Sequence, residues 1–345
     1  MLMDFFHKYL SIWVLACMVV GVALGATVPA VPEFLSRLTV SGISIPIAVL
    51  IWIMIYPMMI KVDFNSIRKV GKKSAGLVLT WVINWLVKPF TMYAITAFFL
   101  FTVFSSLIPK EIASEYLAGA VLLGAAPCTA MVFVWSSLVK GNPAYTVIQV
   151  ATNDLIILVA FVPIVTFLLG VTDVEVPYSV LVMSIVLFVV IPLVAGVVTR
   201  TLVTRRKGED YLNQTFLPAF DGITTVGLLA TLVIIFSTQA ETILSHPLHI
   251  VLIAVPLIIQ TVVIFALAYG LARVIRLPFD IAAPAGMIGA SNFFELSVAV
   301  AVALFGVGSA AALATTVGVL TEVPVMLALV AVANKTKGWF PRVNA

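Results

Sequence analysis

Apolar residues run along this chain in long unbroken stretches, and polar residues gather in the short gaps between them. A run of ~20 apolar residues is long enough to cross a bilayer as a helix. The pattern predicts ten such helices, near residues 9–28, 43–60, 75–101, 116–138, 146–169, 178–199, 216–238, 247–272, 281–304 and 309–333. Helix breakers mark most of the gaps: Pro29 and Pro32, Gly71, Pro109, Gly141 with Pro143, Pro177, Gly208, Pro247, Pro278, and Gly306 with Gly308. The runs are continuous rather than alternating, which argues against a β-barrel. The first run, Tyr9 to Leu24, follows Lys8 as a signal peptide would, but it is long for one and reads as a span.

Composition agrees with the pattern. Hydrophobic residues make up 62% of the chain and charged residues 10%, against about 25% charged in soluble domains. Mean hydropathy is +1.20. The expected fold class is therefore an all-α integral membrane protein whose main solvent is lipid.

The basic residues orient it. With the N-terminus inside, the inner segments hold Lys8, Lys61, Arg68, Lys69, Lys72, Lys73, Lys140, Arg200, Arg205, Arg206, Lys207, Arg273, Arg276, Lys335, Lys337 and Arg342. The outer segments hold only Arg37 and Lys110, and Lys88 lies within a span. Basic loops stay cytoplasmic, so both termini are expected in the cytoplasm of a cell-membrane protein. The formal charge of +4 reflects this orientation rather than nucleic-acid binding.

Ten spans divide into two sets of five, residues 1–170 and 171–345, and an odd number per set inverts the second against the first. Leu123-Gly124-Ala125 in span four resembles Ile288-Gly289-Ala290 in span nine, and Asn153-Asp154 in span five matches Thr321-Glu322 in span ten. Span four contains Ala126-Pro127-Cys128, and span nine contains Pro284, Gly286, Gly289 and Ser291-Asn292. Both mix breakers with polar residues. Unwound backbone at membrane depth must face protein or a wet cavity, so the two discontinuous spans are expected to cross near the midplane.

Glu295 lies just beyond the span-nine break. A carboxylate facing lipid there costs at least ~2.5–3.5 kcal/mol, so it is expected to line the cavity. A carboxyl that is protonated in one orientation and ionised in the other couples transport to protons; the competing reading is a structural partner for Asn or Ser. Cys128 follows the proline of a broken span, close to a half-helix N-terminus that favours thiolate, and a soft ligand would be drawn to it. A buried cysteine is otherwise an inert small hydrophobe, and Cys17, with no breaker or polar neighbour, is read that way.

Lys88, Asp154 and Glu322 are the remaining deep charges, with Asn84 one turn from Lys88 and Asn153 beside Asp154. They either form a proton relay or pair structurally. Asp221, Thr224 and Thr225 read as capping or interface residues at the start of span seven; Trp81, Trp85 and Trp135 read as packing or interfacial aromatics. His7, His246 and His249 fall outside the spans, as exposed loop residues, without zinc spacing. No Walker-type phosphate loop is present and no cofactor is implied. An enzyme would need a base near Cys128, and no histidine is nearby.

The run Ala125-Ala126-Pro127-Cys128-Thr129-Ala130-Met131-Val132-Phe133-Val134-Trp135-Ser136 resembles the arsenical-resistance carriers of the bile acid/arsenite/riboflavin transporter superfamily. So do Gly141 to Thr146, Gln149-Val150-Ala151, Asn153-Asp154-Leu155-Ile156, and Gly289 to Leu296. The resemblance covers essentially the whole span layout. It implies export of arsenite, and often antimonite, in exchange for protons. It matches Cys128 to the family's essential span-four cysteine, the arsenic ligand, and Glu295 to its essential span-nine glutamate. Pro127, Thr129, Ser291 and Asn292 complete the expected substrate site, and Asp154 and Glu322 are further proton-coupling candidates. One thiol holds trivalent arsenic more weakly than three, which suits a carrier. A sodium-coupled organic-anion importer of the same fold and a passive channel for neutral solutes are the alternatives; the first would leave Cys128 idle.

Overall fold

The computed structural model describes residues 10–40, 43–61, 75–129, 131–171, 177–245 and 247–341. Lys8, Arg68, Lys69, Gly71, Lys72, Lys73, Ala130, Arg342, His7 and His246 lie outside the described residues. Within them the chain is almost entirely helical, with one short antiparallel hairpin, β1 (Thr39–Val40) and β2 (Ile43–Ser44).

Most helices overlap the expected segments, while Ala30–Arg37 and Ala240–Ser245 lie in the gaps between them. Helices α1 (Leu10–Thr27), α2 (Ala30–Arg37), α3 (Ile45–Lys61) and α4 (Ala75–Val103) come first. Helices α5 (Lys110–Ala125) and α6 (Val132–Leu138) are two halves of one broken segment, followed by α7 (Pro143–Gly170). Then α8 runs from Tyr178 to Tyr211, broken by a kink at Gly208 where φ is positive, and leads through a π turn, Leu212–Phe216, into α9 (Pro218–Thr238) and the short α10 (Ala240–Ser245). After α11 (Pro247–Val274), α12 (Phe279–Ala290) and α13 (Phe294–Phe305) form the second broken pair, and α14 (Ala310–Lys335) follows. Five of the helical stretches among the described residues are long and apolar enough to cross a membrane unaided.

Pro89 does not interrupt its helix. A proline lacks the N–H that would close its turn, and its ring crowds the carbonyl four residues back. Here a π turn, Ile83–Val87, lies just ahead of Pro89 and changes the hydrogen-bond register, so that Lys88 N–H bonds Ile83 O and the helix continues. The same device recurs at Val186–Val190 before Pro192 and at Leu212–Phe216 before Pro218. Widened turns of this kind often mark functional positions, and the first of them delivers Lys88.

The helices pack in two layers. In one, α1 and α3 pack on α9, and α3 packs on α8. In the other, α11 packs on α12, α14 and α4, α5 packs on α14 and α4, and α6 and α7 lie beside the broken helices. Between the layers α13 touches α8 and α3, and α14 touches α1. Gly21 and Gly25 on α1 bring it into backbone contact with α9: a Cβ at Gly25 would lie 2.0 Å from the Ser237 carbonyl oxygen. Small residues four apart allow helices to approach this closely in lipid, where apolar burial does not drive association.

Candidate functional site

The two breaks meet. Helix α5 stops at Ala125 and α6 begins at Val132; helix α12 stops at Ala290 and α13 begins at Phe294. Pro127 and Asn292 form an antiparallel bridge between the two unwound segments. Phe293 N–H donates to Ala126 O at 2.8 Å and Cys128 N–H donates to Ser291 O at 3.4 Å. Backbone freed by breaking each helix is thus partly satisfied by the other, which is what the absence of water at such depth requires. Ser297, one turn into α13, adds a hydroxyl bond to the Leu122 carbonyl on α5.

Two charges from other helices hold the second break. The Glu322 carboxylate on α14 accepts from the Ser291 hydroxyl and from the Asn292 backbone N–H, at 3.3 Å to each oxygen, and from Asn292 Nδ2 at 3.4 Å. It sits where the N-terminus of α13 presents unpaired N–H groups and a positive dipole end. Lys88 donates its ammonium to the Ser291 carbonyl, at the C-terminal and negative end of α12. The ammonium is also within electrostatic reach of Glu322. Helix end and charge are complementary at both sides of the gap.

Cys128 is buried at the bridge and packs with Leu77, Val132, Tyr145, Val150, Ala285 and Ile288. Glu295 lies on the other side of the bridge, buried in the first turn of α13. Among the described residues, Thr129 Oγ1, Asn292 Oδ1 and Glu295 Oε2 are buried polar atoms near the crossing without a hydrogen-bond partner. Unsatisfied buried polar groups are uncommon and call for an explanation. Neither cysteine forms a disulfide, and Cys17 lies half-buried on α1, in the other layer. The crossing therefore offers a single thiol among the described residues.

The other deep polar residues form a distinct group between α4 and α7. Trp85 Nε1 and Gln149 Nε2 both donate to Asn153 Oδ1, and Trp81 Nε1 donates to Thr152 Oγ1 at 3.0 Å. Asp154 is fully buried with both oxygens unpartnered, and Asn84 is in the same condition at both side-chain atoms. Among the described residues, no hydrogen bond joins Asp154 to the crossing, unlike its sequence counterpart Glu322. Trp135 is buried on α6. Asp221, Thr224 and Thr225 lie in the first two turns of α9.

His249 corrects an expectation: it is a buried residue in the first turn of α11, not an exposed loop residue. The helix starts at Pro247, which is well suited to a first-turn position, so His249 falls inside it. His249 Nδ1 then meets the Tyr116 hydroxyl at 3.0 Å on α5. Sequence reasoning also passed over Gln149, whose only signal was a long polar side chain inside an apolar run.

Residues 48–246 match the sodium bile acid symporter family. An arsenical-resistance protein, Acr3, of Alkaliphilus metalliredigens is 62% identical over 98% of this chain and 95% of its own length. An uncharacterized transporter of Synechocystis is 44% identical over 99% of this chain and 91% of its own. The Acr3 arsenical-resistance protein of Corynebacterium glutamicum is 33% identical, covering 95% and 88%. The chain is a multi-pass membrane transporter and belongs to the sodium bile acid symporter family, in its arsenical-resistance branch.

Two substitutions separate roles at the site. Glu322→Ala removes the acceptor of the Asn292 N–H and the Ser291 hydroxyl. Hydrogen bonds to a charged group contribute about 1.5–3 kcal/mol each, so the purified variant is expected to melt well below the parent. Unchanged melting would mean that the second break is held by the bridge alone. Cys17→Ala removes a half-buried side chain remote from the crossing. It is expected to leave transport at the parent rate, measured as flux into inverted membrane vesicles.

Proposed function

We propose that this protein exports trivalent arsenite from the cytoplasm across the cell membrane by exchange for protons, and that antimonite is a second cargo. The observation that carries the reading is the placing of one thiol, Cys128, and one carboxyl, Glu295, on opposite sides of a crossing whose nearby polar atoms are incompletely satisfied. The names of the two Acr3 relatives support the cargo.

Arsenous acid, As(OH)3, is a neutral, soft centre carrying three hydroxyls. The Cys128 sulfur displaces one hydroxyl: an As–S bond forms, an As–O bond breaks, and the thiol proton leaves with that hydroxyl as water. Water reverses the exchange on the far side. Thr129 Oγ1 can donate to or accept from the remaining hydroxyls, and Asn292 Oδ1 can accept from them. Pro127 keeps the segment unwound, and Ser291 and Glu322 hold the facing one. A single sulfur binds weakly enough for release. Antimonite has the same valence and the same preference for sulfur.

Glu295 is the proton-coupled group in this reading, with Asp154 and Glu322 as further candidates. Residues 1–170 and 171–345 are then two inverted five-helix repeats with both termini in the cytoplasm. In that orientation the residues packed around Cys128, from Leu77 and Tyr145, lie toward the cytoplasm, and Glu295 lies toward the outside. Cargo loads at the thiol from within, while a proton reaches the carboxyl from without. Inward passage of one proton for one neutral arsenous acid is electrogenic. The layer of α1, α3, α8 and α9 and the layer of the broken helices are the two bodies whose relative movement would alternate access.

The test is metalloid accumulation in cells lacking their own exporter. Cells expressing the protein are expected to accumulate less arsenite and to survive higher concentrations of it than cells carrying an empty vector. Equal accumulation, with the protein present in the membrane, would remove the arsenite assignment.

A further inference from the structure

The family is named for sodium symport, and a crossing of unwound helices is where a dissociable cation would be expected. A hard monovalent cation takes oxygen ligands such as backbone carbonyls and carboxylates. Here both are present at the second break: the Ser291 carbonyl and the Glu322 carboxylate. A cation already occupies the carbonyl. Lys88 is completely buried, its ammonium donates to the Ser291 carbonyl, and it lies within electrostatic reach of Glu322. The residues therefore do not fit a sodium ion at this position, because a covalently attached cation occupies it.

We propose that the Lys88 ammonium is a resident cation that takes the place of sodium at the crossing, so that the two broken helices stay assembled without a dissociable metal ion. The geometry accounts for each contact. The ammonium neutralises the carbonyl end of α12 and faces the carboxylate that caps α13, which is the work a bound ion would do. The π turn at Ile83–Val87 sets the register that brings Lys88 to the gap past Pro89. Only the transport arm of the test rests on the crossing being the transport site; the binding arm stands without it.

Lys88→Ala opens the position to small free cations. The purified variant is melted in sodium chloride, ethylammonium chloride and choline chloride at equal ionic strength. The proposal expects the parent to melt alike in all three. It expects Lys88→Ala to melt lower in choline and to regain several degrees, saturably, in sodium and in ethylammonium. Identical melting of Lys88→Ala in the three salts overturns it. Should Lys88→Ala not reach the membrane folded, Lys88→Met keeps the stem and carries the test. Melting below the parent that a second change, Glu322→Gln, restores supports the proposal. Melting equal to the parent, or a deficit that Glu322→Gln leaves untouched, overturns it. In the transport arm, an inward sodium gradient is expected to stimulate arsenite flux by folded Lys88→Ala and not by the parent. Stimulation of the parent overturns the proposal. Loss of all flux in the parent would instead count against the arsenite reading and leave the melting result standing.

Discussion

Cys128→Ser is expected to abolish arsenite export while leaving the protein folded in the membrane. Serine is close to cysteine in size, so the packing against Leu77, Val132 and Ile288 survives. What changes is the ligand. A hydroxyl is a hard donor with little affinity for trivalent arsenic, whereas sulfur is soft. The backbone N–H of residue 128 still reaches the Ser291 carbonyl, so the bridge between the broken helices is retained. The expected result is flux at the level of empty vesicles and resistance at the level of cells without the gene, with membrane abundance near that of the parent. Wild-type flux by a well-expressed Cys128→Ser variant would remove the thiol from the mechanism. A comparable loss in Cys17→Ala would erase the distinction between the two cysteines.

The second large effect is expected from Glu295→Gln. Glutamine is isosteric, keeps the first turn of α13 intact and imitates the protonated carboxyl permanently. It removes the only charge change that Glu295 can contribute. Uphill export driven by a proton gradient is expected to disappear, while exchange of labelled for unlabelled arsenite across the membrane persists. The two assays share cargo, protein and vesicles and differ only in the need for a proton cycle. If Glu295→Gln retains uphill flux with an unchanged dependence on pH, the coupling group lies elsewhere. Asp154, buried with neither oxygen partnered, is then the next carboxyl to replace.

Much of the fold was readable because lipid imposes a simple rule. Backbone polar groups must be satisfied within a helix, so runs of apolar residues became α1, α4, α7, α11 and α14 close to where the pattern put them. The broken segments were readable for the converse reason. Pro127 and the polar pair Ser291-Asn292 have no place inside an intact lipid-facing helix, and both fall in the observed gaps.

What was not readable is contact between distant residues. Lys88 stood out as a deep charge, but its acceptor lies 203 residues away on a backbone carbonyl that exists as an acceptor only because α12 ends there. Glu322 and Asp154 occupy matching places in the sequence. Yet the first caps a helix end, whereas the second has no hydrogen-bonded partner. The difference comes from which helix each one faces. The continuity of α4 past Pro89 was hidden as well, since a π turn leaves no clear mark in composition. His249 was misjudged because its polarity was read as a loop, although it lies in the first turn of α11.

The central claim is that this chain moves arsenite against its gradient using protons alone. Purified protein reconstituted into sealed vesicles tests it directly, in sodium-free buffer, with arsenite uptake followed after a pH step that makes the lumen acidic. In molecules oriented with their cytoplasmic face outward, protons leaving the lumen are expected to drive arsenite inward to a concentration above that outside, and an ionophore that collapses the gradient is expected to release it. Uptake that only equilibrates, whatever the pH step, or that requires added sodium, would contradict the account.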